Sequence, residues 1–168
     1  MFSRLSAQGI RVSVFCLAIA LAGCATTPGG GGRGGSTTPN IWPIQHPEAR
    51  LSSPFGMRKQ PGTGKMRLHK GLDIQAPEGT PVYVTANGVV SFSGQQGDYG
   101  NVIVVEHDSR TATAYAHLKK RRVGQGDAVQ QGQHIGDVGR TGNATANHLH
   151  YEVRKEGQPV DPMGYLAK

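Results

Sequence analysis

From Trp42 to the C-terminus, short β-forming runs alternate with turn residues, and helix signals are sparse. Val82-Tyr83-Val84-Thr85 and Val89-Val90-Ser91-Phe92 flank Asn87-Gly88, a dipeptide that reads as a two-residue hairpin turn. Residues 102–106 and 111–115 flank 107–110 and predict a second hairpin, while residues 135–138 and 148–154 read as further strands. Many of the 25 glycines fall between these runs, where positive φ or close backbone approach favours a residue without Cβ. The pattern predicts an all-β domain of mostly antiparallel strands, sandwich-like, with a site in a groove.

Onto this scaffold the chain places two groups of ligand-type residues. His69-Lys70-Gly71-Leu72-Asp73 supplies an imidazole and a carboxylate four apart, and His148-Leu149-His150 supplies two more imidazoles. In a chain with 7 histidines, a lone His-x-His carries little weight. Here, however, His148, His150 and Glu152 alternate with Leu149, Tyr151 and Val153, so a strand would send both imidazoles to one face. Gly62, Gly64, Gly71 and Pro77 argue against a helix around His69, which predicts that His69 and Asp73 share a side through an extended strand. Neutral imidazole plus carboxylate is the donor set of a catalytic zinc site, which uses three protein ligands and leaves one position open. Spacing alone leaves open whether one or both of His148 and His150 are ligands.

The two ends of the chain differ from its middle. Arg4 and Arg11 precede an apolar run over 12–22 that ends in Leu21-Ala22-Gly23-Cys24, which resembles a bacterial lipobox. Residues 1–23 are thus expected to be a lipoprotein signal peptide, cut before a lipid-bearing Cys24. Cys16 leaves with the signal, so no intramolecular disulfide is expected. Residues 24–41 hold Thr26-Thr27-Pro28, glycines at 29–32, Gly34-Gly35 and Ser36-Thr37-Thr38-Pro39, a composition of a flexible tether. Residues 42–168 remain, within the usual size of one domain.

The formal charge of +7 becomes +5 once Arg4 and Arg11 are removed. Its densest basic run, Lys119-Lys120-Arg121-Arg122, reads as a solvated strand end or turn in preference to a patch that attracts an anionic polymer or membrane surface. Aromatic residues do not interleave with it, and an exported lipoprotein is remote from nucleic acid, so no nucleic-acid partner is expected.

Ser53-Pro54-Phe55-Gly56-Met57-Arg58, His69 to Asp73, Ala76-Pro77-Glu78-Gly79-Thr80-Pro81-Val82, Tyr115-Ala116-His117-Leu118, and Thr141-Gly142 leading to His148-Leu149-His150-Tyr151-Glu152 resemble the lysostaphin-type, LytM-like zinc endopeptidases. The resemblance runs from about Trp42 to the C-terminus, with the motifs in family order. It departs at Thr145-Ala146-Asn147, where the family often has Thr-Gly. It implies that His69, Asp73 and His150 bind zinc, and that His117 and His148 are catalytic beside the metal. The implied activity is hydrolysis of peptide cross-links in bacterial peptidoglycan. Arg58 is read either as a contact to a substrate carboxylate or as a brace for its loop, and Glu152 either as a general base or as a residue orienting a ligand. His46, His107 and His134 belong to no motif and read as structural.

The implied protein is monomeric, lipid-anchored through Cys24 and facing the cell wall. Ala25 after Cys24 favours the inner leaflet of the outer membrane in a two-membrane cell. No tyrosine lies between Gly56 and His69, whereas relatives that cut glycine bridges often carry one; Thr63, Lys65, Arg58 and Lys70 instead point to an anionic stem peptide and a D-alanyl–diaminopimelate bond. The rival reading is a non-enzymatic activator of another wall hydrolase, but such members usually lack metal ligands. A biotinyl- or lipoyl-type carrier is the second rival, but it needs a lysine at a hairpin tip, which Asn87-Gly88 lacks.

Overall fold

The structure, a computed structural model, describes residues 35–59 and 64–167. The signal segment, Cys24, the tether as far as Gly34, and Thr63 lie outside the described residues. In chain order the strands are β1 Arg50–Ser53, β2 Gly56–Lys59, β3 Met66–His69, β4 Leu72–Gln75, β5 Pro81–Tyr83, β6 Gly88–Gln96 and β7 Gly100–Glu106. They continue with β8 Thr111–Ala116, β9 Lys120–Arg121, β10 Ala128–Val129, β11 His134–Asp137, β12 His148–Lys155 and β13 Gln158–Val160. Only two short 3-10 turns, Gly97–Tyr99 and Pro162–Gly164, interrupt the β structure of the described residues.

An eight-stranded sheet runs β1-β4-β12-β8-β7-β6-β10, with β13 added to β12. A three-stranded sheet runs β5-β11-β9, and β2 pairs with β3 as a separate hairpin. Among the described residues the strand pairs are antiparallel throughout, in agreement with the fold read from the turn pattern. One apolar core draws on both larger sheets: Leu72, Ile103, Tyr115, Leu149 and Tyr151 from the first, Val82 and Ile135 from the second. Each such side chain, fully buried, contributes roughly 1.5–3 kcal/mol.

The hairpin predicted at 107–110 forms. Asp108 Oδ1 accepts the backbone N–H groups of Arg110 at 2.8 Å and Thr111 at 2.7 Å, which folds the turn onto its own side chain. His107 is buried and serves this region: its ring bonds the Asn87 carbonyl at 2.8 Å and Thr113 Oγ1 at 2.8 Å. That is a structural role, as its lack of motif implied.

The hairpin predicted at Asn87-Gly88 does not form. β5 pairs with β11, whereas β6 pairs with β7 and β10, so the chain changes sheets here. Asn87 is a staple instead of a turn residue. Its Nδ2 donates to the Gly35 carbonyl at 2.6 Å, its Oδ1 accepts from the Gln131 N–H at 2.8 Å, and its N–H donates to the Ser36 carbonyl at 2.7 Å. Gly88 is required by proximity: a Cβ there would lie 2.3 Å from the Glu106 carbonyl oxygen. These contacts also shorten the flexible tether read over 24–41. Residues 35–40 dock on the domain, and the Asn40 N–H donates to the Thr85 carbonyl at 3.3 Å.

Candidate active site

The strand expected through His69 and Asp73 is two strands. His69 ends β3, Asp73 lies in β4, and Lys70-Gly71 carries the chain from the small hairpin into the large sheet. Gly71 passes against β12 so closely that a Cβ would sit 2.2 Å from the Tyr151 carbonyl oxygen. That approach sets Asp73 directly opposite His150 in the β4–β12 register. β12 then presents His148, His150 and Glu152 on the face away from Leu149, Tyr151 and Val153, as its alternation required.

His69, Asp73 and His150 converge. His69 Nε2 is 3.1 Å from Asp73 Oδ1 and 3.2 Å from His150 Nδ1, and His150 Nδ1 is 2.8 Å from Asp73 Oδ1. The outer ring nitrogens are committed elsewhere. His69 Nδ1 lies 2.7 Å from the Pro54 carbonyl and His150 Nε2 lies 3.1 Å from Glu152 Oε1. A carbonyl and a carboxylate only accept, so these nitrogens carry the N–H and the inner nitrogens of the neutral rings present lone pairs. Two lone pairs and a carboxylate oxygen so close together require a positive charge among them. Burial opposes ionisation of Asp73, yet hydrogen bonds from His150 and His69, made when an inner nitrogen carries that charge as a proton, hold it well below the usual carboxylate range. Burial alone would lower the pKa of His150, but Asp73 and Glu152 raise it. The spacings fit a metal ion: tetrahedral bonds of about 2.0–2.1 Å place ligand atoms about 3.4 Å apart. These three are also the metal-competent cluster of the described residues.

Behind His150 sits a carboxylate that the sequence assigned only loosely. Glu152 is fully buried. Its Oε1 accepts from Tyr99 Oη at 2.7 Å as well as from His150, and its Oε2 accepts from Arg154 Nε at 2.7 Å. Burial would raise its pKa, but His150, Tyr99 and Arg154 bring it down to about 2. The Tyr99 hydroxyl is correspondingly pushed up to about 12 by burial and by this carboxylate. Neither Arg154 nor Tyr99 was singled out from the sequence: Arg154 is the next same-face residue on β12, and Tyr99 reaches the site from a turn before β7.

His117 and His148 stand beside the cluster, their ring centroids 4.7 Å apart. His148 Nε2 is 3.7 Å from Asp73 Oδ1. Both rings are oriented by backbone carbonyls: His117 Nδ1 donates to Thr141 O at 2.8 Å, and His148 Nδ1 to Ala146 O at 2.9 Å. Each neutral ring therefore keeps an Nε2 lone pair. Burial, reinforced by the neighbouring histidines, lowers the His117 pKa to about 4 against the opposing Thr141 bond, so the ring is neutral at pH 7. His117 has φ 60, a left-handed conformation uncommon outside glycine. It is held there by His117 N–H to Tyr99 O at 2.9 Å and the following Leu118 N–H to Asn101 O at 3.0 Å. Strain maintained by surrounding contacts is typical of functional positions. The Thr141-Gly142 motif acquires a physical reason: Thr141 fixes His117, and Gly142, at φ +68, packs where a Cβ would lie 2.4 Å from Gly100 N.

The cluster opens into a cavity of about 660 Å³ lined by Arg58, Arg67, Lys70, Tyr99, Asn143 and Thr145 among others. Arg58 Nη2 lies 3.7 Å from Asp73 Oδ2. His46 and His134 are elsewhere. His46 Nδ1 accepts the Glu48 N–H at 3.2 Å, and His134 bonds Asp137 at 2.8 Å. The basic run is engaged at both ends: Lys119 pairs with Glu78 at 2.6 Å and Arg122 with Asp137 at 2.9 Å.

An all-β groove with two histidines and an aspartate around one point, and two further imidazoles beside it, has the donor set of a three-ligand metal site with proton-accepting groups at hand. Residues 67–162 match the model of peptidase family M23, and the chain belongs to that family. It is 48% identical over 124 residues to the DD-carboxypeptidase/endopeptidase Mpg of Neisseria meningitidis serogroup B, covering 74% of this chain and 28% of the relative. To the peptidoglycan DD-endopeptidase ShyC of Vibrio cholerae it is 41% identical over 114 residues, covering 67% of this chain and 26% of that protein. The chain thus spans little more than a quarter of these relatives' lengths. Among solved structures it is similar to a zinc-containing peptidase from Vibrio cholerae, with TM-score 0.71 and 39% identity over 75% of this chain and 39% of that one.

Proposed function

We propose that this chain is a zinc-dependent endopeptidase that hydrolyses peptide cross-links of bacterial peptidoglycan, at the D-alanyl–diaminopimelate bond. The observation that carries the reading is the convergence of His69, Asp73 and His150 within 3.2 Å of one another beside two imidazoles with free Nε2 atoms. His69, Asp73 and His150 hold the metal. When bound, zinc polarises the scissile carbonyl and acidifies the attacking water.

The chain's own residues do the rest. Glu152 fixes the His150 tautomer and turns its Nδ1 toward the cluster. His117 Nε2, neutral at pH 7, takes a proton from water, and the imidazole pair returns it to the departing amine nitrogen. The balance is one water consumed, with its hydroxyl on the alanyl carbon and its proton on the amine. Relatives named as DD-endopeptidases and the basic cavity wall support the substrate class. The lipobox supports a lipid anchor at Cys24 that holds the enzyme at the outer membrane, facing the wall.

The test is incubation of the purified protein with cross-linked muropeptide dimers, followed by mass analysis. Release of monomers that stops on chelation and resumes with zinc is expected. Survival of the dimers while a separate amidase becomes active would instead establish the activator reading. For the anchor, Cys24→Ser moves the protein out of the membrane fraction; continued firm membrane association would refute the lipobox.

A further inference from the structure

We propose that Arg58 and Arg67 form a binding fork for the carboxylate attached to the carbon that bears the scissile nitrogen. This rests on the peptidase reading above and names the feature by which the site selects its substrate.

The two arginines are direct cross-strand partners in the β2–β3 hairpin, and both line the cavity. Like charges placed opposite each other weaken a strand pair. Among the described residues nothing offsets this: the Arg67 side chain makes no hydrogen bond or ion pair there, and the Arg58 side chain meets only Asp73 Oδ2, at 3.7 Å. That oxygen is beyond hydrogen-bond range, and its carboxylate is already engaged by His69 and His150. The cavity's other carboxylates do not compensate the pair. Glu152 is bound by Arg154 at 2.6 Å, and Asp98 belongs to the turn Gly97–Tyr99 outside the hairpin. Two guanidinium groups with spare donors thus face a cavity beside the metal cluster. Guanidinium matches carboxylate as a planar, two-pronged donor.

The position selects which carboxylate. In a direct cross-link to a diaminodicarboxylic acid, the carbon attached to the scissile nitrogen itself carries a free carboxylate. Two covalent bonds tie that anion to the reacting amide. It must therefore lie beside the metal cluster, where Arg58 is. A glycine bridge has no anion at this point, and amidation removes the charge.

The experiment uses two muropeptide dimers that differ only in whether this carboxylate is free or amidated. The intact zinc-loaded protein should favour the free acid by ~10- to 100-fold in kcat/KM, the range of a charged hydrogen-bonded pair. The ratio should fall toward one in Arg67→Gln and recover in part in Arg67→Lys. A purely structural arginine would lower both rates and leave the ratio unchanged, which would overturn the proposal. A ratio of one in the unmodified protein would also overturn it. Calorimetric titration with the amine-side peptide, as free acid and as amide, separates this from failure of the peptidase reading. If neither dimer is cut, that reading fails alone. A binding preference for the acid that Arg67→Gln abolishes still supports the fork, and equal binding of acid and amide overturns it.

Discussion

Glu152 accepts a hydrogen bond from His150 Nε2–H across 3.1 Å while itself fully buried, so the orientation of one imidazole of the candidate metal cluster depends on a carboxylate that never reaches the cavity as a free group. Arg154 and Tyr99 make this burial tolerable by occupying the remaining acceptor sites.

Glu152→Ala leaves His150 Nε2–H, Tyr99 Oη–H and Arg154 without their common acceptor. We expect metal affinity to fall about 10- to 100-fold, the usual effect of removing a group that orients a ligand. Stability should fall by about 3–5 kcal/mol, because a charged partner is left uncompensated. Zinc competition with a chromophoric chelator and urea unfolding measure the two effects. Unchanged affinity would remove Glu152 from the metal site.

Ligands and proton-transfer residues separate by metal content. Asp73→Ala and His150→Ala should lose most bound zinc, since each removes one of three ligands. His117→Ala should keep its zinc and lose roughly 10²–10⁴-fold in turnover. Zinc analysis alongside muropeptide kinetics decides: full zinc retention in both ligand variants contradicts the ligand set, and zinc loss in His117→Ala makes that residue a ligand.

Gly71→Ala tests the approach that brings β4 against β12. Its Cβ would start 2.2 Å from the Tyr151 carbonyl oxygen, a backbone atom with no rotamer to escape into. The strands must part, at a cost of about 1–3 kcal/mol. Asp73 moves with them, so metal affinity should fall together with the urea midpoint. An unaltered midpoint would show that the contact relaxes freely.

Asp137 gives the fold an acid-sensitive element away from the site. Burial opposes its ionisation, but bonds from Arg122 at 3.0 and 2.9 Å and from His134 lower its pKa below the ordinary 3.8. A depressed carboxylate stabilises the fold above its unfolded pKa and loses that contribution as pH falls through the folded value. Arg122 is partly exposed, so Arg122→Ala should cost only about 0.5–1 kcal/mol at pH 7. The difference from the unmodified protein should shrink below pH 3.8. Unfolding curves between pH 7 and pH 2 check this, and a constant difference would exclude the ion pair as its origin.

The chain's local patterns determined a good deal. Alternation along His148–Lys155 put His148, His150 and Glu152 on one face, because strand periodicity needs only neighbouring residues. The hairpin joining β7 and β8 was legible because Asp108 closes the turn onto adjacent N–H groups. The ordered motifs brought His69, Asp73 and His117 to the same site by resemblance. Long-range contacts decided the rest. Asn87-Gly88 carried a hairpin signal, yet Asn87 bonds to residues 52 and 44 positions away and ends in a crossing between sheets. Spacing could not say which imidazole nitrogen faces inward. That follows from Pro54 behind His69, Glu152 behind His150, and Thr141 behind His117. Tyr99, 53 residues from Glu152, had no local signature. A strand's faces are set by its own covalent geometry, whereas tautomers, charges and sheet changes are set by whichever partners the folded chain delivers.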